Sequence, residues 1–243
     1  MRMLTFTKRN FKEILRDPLN LAFMFGFPLV LILLLSAIQA NVPVSLFEIT
    51  HLAPGVTVFG LSFMTLFSAT IIAKDRGSAL LQRLYTTPLT PADFILGYTL
   101  PILPLAAIQC AVCYIAAIVL GMEVTVNILW AVLLILLVSL LYIGLGLLCG
   151  SCLTDKQVGG VCGALLTNLS AWLSGIWFDL DLVGGAFKHI ANLLPFVHAV
   201  EIERAAIAGD FAELLHHLPW VLGYAIAVLG AAVWCFLRQM KRQ

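Results

Sequence analysis

Six cysteines and five histidines carry most of the reactive chemistry that this sequence offers. Cys110-x-x-Cys113 and Cys149-x-x-Cys152 have the spacing of a paired-knuckle metal site. His51, His189, His198, His216 and His217 could add imidazole ligands or a general base. No His-Glu-x-x-His, Ser–His–Asp set or pair of acids lies within any one apolar segment to complete a catalytic constellation. Whether any of these groups can act depends on the elements that hold them.

Those elements are apolar. Hydrophobic residues make up 61% of the chain and charged residues 11%, where a soluble domain carries roughly a quarter charged. Mean hydropathy is +1.02, which puts the chain in the membrane class. A net charge of +1 gives no support for nucleic-acid binding. Uncharged runs cover Pro18–Phe47, Leu52–Ala73, Phe94–Met122, Val124–Thr154, Gln157–Phe178 and Leu218–Leu237. A helix needs about 20 apolar residues to cross the hydrocarbon. The runs therefore predict six spans, at about 20–40, 52–73, 95–121, 127–152, 158–178 and 218–237.

Of the 14 Lys and Arg residues, only Lys188 and Arg204 fall on the side opposite the rest. The cation bias predicts that both termini, and the loop between spans two and three, are cytoplasmic. Cys110 then lies about 18 Å along span three from its inner end, at 1.5 Å per residue. Cys149 and Cys152 fall at the inner end of span four. The two pairs are expected to be buried thiols rather than one shared metal site. The histidines fall outside, as polar caps at the interface.

Residues 3–17 read as an interfacial helix. Leu4, Phe11, Ile14 and Leu15 recur at helical spacing, and Lys8, Lys12 and Arg16 form a row on another face. A basic topology anchor is the alternative. Asp17-Pro18 marks an elbow into span one. Residues 179–217 hold Asp179, Asp181, Glu201, Glu203, Asp210 and Glu213 among many apolar residues. Two short helices over 183–208, dipping into the outer leaflet, fit this pattern, and an ordinary surface hairpin is the alternative. Glu201 and Arg204, three apart, can pair on one helix face. Gly146-x-x-x-Gly150 and Gly159-x-x-x-Gly163 allow helices to approach closely.

The polar island between spans two and three has its own order. Leu80, Leu81, Leu84 and Tyr85 share one face of a short helix over 75–86, with Arg76, Gln82 and Arg83 off that face. Thr87-Pro88 ends it. Thr90-Pro91-Ala92-Asp93 begins a new helix, with a threonine cap, proline at the first position and an acid in the first turn. A short helix joined tightly to two spans can transmit a push.

The order of these features resembles an ABC-2-type transporter permease, the membrane subunit of a type V, ABCG-like exporter. The resemblance rests on a basic start ending in Arg16-Asp17-Pro18 and on "RLYTTPLT" over Arg83–Thr90. Six spans with both ends inside and a Pro195…Glu201…Arg204…Gly209 segment before the last span complete it. It implies a single transmembrane domain over 1–243, an all-α integral membrane protein with an interfacial helix, a cytoplasmic coupling helix and short extracellular re-entrant helices. Asp75, Arg76, Gln82, Arg83, Tyr85 and Thr86 would form the coupling contact with a soluble ATPase. Two ATPase subunits, binding ATP and magnesium, would join two permease copies, identical or homologous, in a cell membrane. The chain contains no Gly-Lys pair and so no phosphate-cradling loop; no cofactor is expected on it, and ATP hydrolysis would belong to the other subunit.

Phe59, Phe63 and Phe67 form an i, i+4, i+8 stripe on span two, and Asn168 and Trp172 are i, i+4 on span five. If these face a twofold axis, the path is apolar and aromatic and suits a drug, a lipid-like molecule or a modified peptide. The alternative is that they are core or lipid-facing aromatics. A membrane-embedded enzyme acting on lipid or peptide, and an ion-coupled secondary transporter, are the competing functions. The latter usually keeps ionisable groups inside the bilayer, where each costs about 2.5–3.5 kcal/mol on insertion scales, and the six spans hold none. In intact cells a thiol-specific, membrane-impermeant label should therefore react with Asp210→Cys and not with Arg83→Cys; labelling at 83 would reverse the orientation.

Overall fold

The amphipathic start folds as α1, Arg2–Leu15. The computed structural model describes residues 2–42, 47–78 and 90–240; the described residues are helices joined by turns, with no strand among them. On α1 the residues turned into the protein are Phe6, Asn10 and Ile14, spaced by four. Leu4 and Leu15, expected on the apolar face of an interfacial helix, are exposed. The apolar residues thus divide between protein and lipid sides, and Lys8, Lys12 and Arg16 keep to solvent.

Asp17 ends α1 and starts α2, Pro18–Gln39. Its side chain accepts from the Asn20 amide at 3.1 Å, and Pro18 takes the first helical position. Ala22–Gly26 within α2 is π-helical. The next helix, α3, Ile49–Gly77, is buried along almost its whole length. It is the central post, with α2 against it. Thr90 caps α4, Pro91–Thr99, through a reciprocal capping box: the Asp93 amide donates to Thr90 Oγ1, and the Thr90 amide donates to Asp93 Oδ2 at 2.8 Å. A bend at Pro101 separates α4 from α5, Ile102–Val119, and the two together make one span. Then come α6, Asn127–Cys152, and α7, built from Asp155–Val158, a π-helical Gly159–Leu166 and Thr167–Leu173.

Three short helices follow at the end of the bundle away from α1: α8, Leu180–Val183; α9, Gly185–Leu193; and α10, Pro195–Ala208. Gly209 closes α10 in the left-handed conformation, φ +75°. Then α11, Phe211–Met240, returns across the bundle. The helix α10 is no surface hairpin arm. It packs on α3, α6 and α11, and ten of its residues are buried.

Among the described residues five helices are long and apolar enough to cross a membrane: Pro18–Gln39, Ile49–Gly77, Ala92–Val119, Asn127–Cys152 and Phe211–Arg238. The expected span at 158–178 differs. Its helical run, α7, stops at Leu173. Asp155, Lys156, Gln157 and Asn168 lower its apolar content, and Gly175, at φ +68°, turns the chain away.

The closest approach between spans is that of α3 and α6. Thr65 Oγ1 donates to the Tyr142 carbonyl at 2.8 Å. A Cβ on Gly150 would lie 2.7 Å from the Ala69 carbonyl oxygen, and one on Gly146 would collide with Ser68. Of the two GxxxG pairs this one is the packing contact; Gly159 has open space around it, and Gly163 only ordinary contact with Leu66. Gly150→Val should therefore lower stability by about 3 kcal/mol, the upper end for overpacking, and Gly159→Ala should leave it unchanged, both read as thermal unfolding in detergent.

Candidate functional site

Two polar constellations interrupt the apolar bundle, one at the rim where α1 lies, which the cation bias expects to be inner, and one near the opposite end, expected to be outer. The inner one centres on Asp75 in the last turn of α3, whose side chain is 4% exposed. Arg9 of α1 meets it with both guanidinium nitrogens, Nη1 to Oδ2 at 2.5 Å and Nη2 to Oδ1 at 2.8 Å. Tyr98 of α4 donates its hydroxyl to Oδ2 at 2.9 Å. Such a forked pair fixes direction as well as charge. Around it, Asn10 donates to the Gly97 carbonyl at 2.9 Å, and the Phe6 ring lies edge-on to Phe94 and Tyr98. Gly97 leaves the room that Phe6 fills; a side chain there would overlap the ring. One residue along, Arg76 donates to the carbonyls of Ser151 and Leu153 at the end of α6.

This corrects the expectation for Asp75 and Arg76. Both were expected at the start of a separate coupling helix. They belong to the last turns of α3, and Asp75 is turned inward, where it ties α1 to α4. Gln82, Arg83, Tyr85 and Thr86 lie outside the described residues. The helices that flank this segment, α3 ending at Gly77 and α4 starting at Pro91, meet in the cluster through Asp75 and Tyr98.

The outer constellation sits on α10. Glu201 and Arg204 pair at 2.8 Å, and Arg204 also donates to the Gly175 carbonyl at 3.1 Å. They face a cavity of about 670 Å³, which is also lined by His51, Asp181, Lys188 and Asp210. Glu203 points the other way, into the bundle, and is fully buried. Tyr114 of α5 donates to its Oε2 at 3.0 Å, and Oε1 has no partner among the described residues. Burial raises the Glu203 pKa from its ordinary 4.5 to about 8, against the lowering effect of the Tyr114 bond.

Beside the cavity, His198 of α10 joins α9 to α11. Burial lowers the His198 pKa, so the ring is neutral. Its Nε2–H donates to the Asn192 carbonyl at 2.8 Å, which leaves Nδ1 to accept from His217 Nδ1 at 2.7 Å. Trp220 lies flat against the His198 ring, centroids 5.0 Å apart.

The remaining sequence candidates separate. Phe59, Phe63 and Phe67 are buried inside the chain. Phe63 packs on Phe27 at 5.2 Å, and Phe59 on Trp177 at 5.9 Å. Asn168 is exposed and donates to Ala164 of its own helix; Trp172 is exposed and touches Phe178. The aromatic stripe and the span-five pair do not share a lining. Cys110 and Cys113 are buried on α5, whereas Cys149 faces Cys162 and Cys152 faces Cys235. Among the described residues no group of three or more His, Cys, Asp or Glu side chains could hold a metal ion.

Sequence reasoning missed Glu203, though a signal was present. Phe196, Ala199, Val200, Glu203 and Ala206 fall on one apolar helix face, and an acid in that register is one the fold must neutralise. The His198–His217 contact joins residues on different helices and had no local signal.

Residues 1–207 match the family described as ABC-2 type transporter. Nodulation protein J of Rhizobium meliloti (strain 1021) is 23% identical over 168 residues; the match covers 68% of this chain and 63% of that protein, less than two thirds of its length.

Glu203 supplies a pH prediction. A raised carboxyl pKa means that the folded state holds a proton which the unfolded state releases. Stability is complete below about 4.5 and falls as pH rises through about 8. Wild-type thermal stability in detergent should drop across that window, by on the order of 4 kcal/mol in total. Glu203→Gln, which keeps the shape and never ionises, should flatten the curve.

Proposed function

The chain belongs to the ABC-2 type transporter family, and from that membership we propose that it is the permease subunit of an ATP-driven exporter. In this reading two copies, or one copy and a homologue, form the membrane unit. Two separate ATPase subunits bind ATP and magnesium and supply the energy. The cargo is a hydrophobic or amphipathic molecule moved out of the cytoplasm. Both termini are cytoplasmic, and the membrane is the inner or plasma membrane.

The observation that carries the proposal is the inner junction. A subunit bound to the segment between Ser78 and Thr90 would load α3 at one end and α4 at the other. The Arg9–Asp75–Tyr98 cluster makes those ends move with α1 as one body. Arg76 extends the load to the end of α6. A push on about a dozen residues is thus delivered to four helices without slack. Gln82, Arg83, Tyr85 and Thr86 would make the docking contact, with Arg and aromatic side chains contributing most.

A second reading has one observation in its favour. The charge-free spans argue against ion coupling, but α10 carries Glu203 into the bundle as a protonatable group, the kind of residue that marks proton pathways. In proton-coupled transport, transport would persist without an ATPase and fail in Glu203→Gln.

The test is co-purification with a soluble ATPase, followed by a transport assay. Arg83→Ala with Tyr85→Ala should weaken docking by about 2 kcal/mol, roughly thirtyfold, and lower transport in step, while the permease inserts normally. Unchanged docking and transport in the double variant would end the coupling proposal.

A further inference from the structure

We propose that the outer face binds a single-chain zwitterionic lipid of the outer leaflet, its head in the polar cavity beside α10 and its chain in an apolar groove on α11. The two spaces share a wall. The cavity reaches His217, and the groove begins two residues on, at Pro219. Between them stands His198, bonded to His217 and stacked on Trp220. The end of α9 closes the same wall: Asn192 lines the cavity, and the Leu193 carbonyl accepts from the Tyr224 hydroxyl at 2.7 Å, with Tyr224 lining the groove. A molecule with one polar and one apolar end can therefore occupy both spaces by crossing a single turn of α11.

The groove suits one hydrocarbon chain. It has about 410 Å³ and is lined by Pro219, Trp220, Gly223, Tyr224 and Ala227. From Pro219 to Ala227 it runs about 12 Å, most of the roughly 15 Å depth of one leaflet's hydrocarbon. Nothing lies within 4 Å of where a Gly223 side chain would start, and that missing side chain makes the hollow. Exposed Ile190, Leu193 and Leu215 flank the region and put the groove on the lipid side.

The cavity selects the head. Five carboxylates line it, against two permanent cations, Lys188 and Arg204. Lys188 is paired with Asp181 and Arg204 with Glu201, so the charge of each is offset and no net positive charge is left for an anionic head. A head that carries an amine or quaternary ammonium meets surplus negative charge, while its phosphate can still reach the Arg204 and Lys188 donors. A purely anionic head meets repulsion.

The inference deepens the export reading by naming a ligand class for the outer face. The test needs no ATPase, so its failure and that of ATPase docking are distinguishable. Chain-brominated lysophosphatidylcholine is titrated into the detergent-solubilised permease, and the fluorescence quenched in wild type but not in Trp220→Phe is followed. Saturable quenching is expected, with brominated lysophosphatidylglycerol binding about tenfold more weakly. Gly223→Leu, which fills the hollow, should weaken binding by about tenfold, the scale of a misfitted apolar pocket. Glu201→Gln should narrow the difference between the two head groups. Quenching that rises without saturation, or that is equal for both lipids and untouched by Gly223→Leu, would mean ordinary boundary lipid and would overturn the site.

Discussion

A carboxylate inside an apolar bundle has to be either paired or protonated, and the helices here are arranged around that requirement. At the inner rim, Asp75 is buried and paired: Arg9 reaches it with a fork of two hydrogen bonds and Tyr98 supplies a third. Three helices must converge for this to happen. That convergence holds the amphipathic α1 to the span ends instead of leaving it free on the lipid surface. The small Gly97 and the edge-on Phe6 follow from it, since the backbone of α4 has to come close enough for Tyr98 to reach.

Near the outer end the same requirement is met the other way. Glu203 has one hydrogen bond and no cation beside it, and burial makes its carboxyl hold a proton. The helix that carries it is thereby split into two faces. One face, with Glu203, is locked against α3, α6 and α11; the other, with Glu201 and Arg204, stays wet and forms the wall of the cavity. Between the two rims the contact of α3 with α6 is made by glycine and hydroxyl groups. It needs no charge at all, which is how a helix as buried as α3 crosses the bundle.

Much of this was legible in the residues, because bilayer length and helix-capping patterns act locally along the chain. The elbow at Asp17-Pro18, the capping box at Thr90 and Asp93, the Glu201–Arg204 pair and the close approach at Gly146 and Gly150 are all short-range patterns. What escaped was long-range or depended on rotation about a helix axis. The register of α1 was read from Leu4 and Leu15, yet Phe6 and Asn10 face the protein, since an interfacial helix has two apolar surroundings and composition does not distinguish them. Asp75 read as a surface acid because its partner is 66 residues away. The Phe59–Phe63–Phe67 stripe was a correct helix face, but Phe23, Phe27 and Trp177 cover much of it.

The neutral state of Glu203 also has an electrical meaning. Each elementary charge carried across a membrane at 100 mV exchanges about 2.3 kcal/mol with the field. Here the guanidinium and carboxylate groups of the inner junction are at the rim, those of the outer cavity are at the opposite rim, and Glu203, buried between helices, is uncharged. A rearrangement of this bundle displaces almost no charge through the voltage drop. On this placement the described charged side chains would take little energy from the membrane potential.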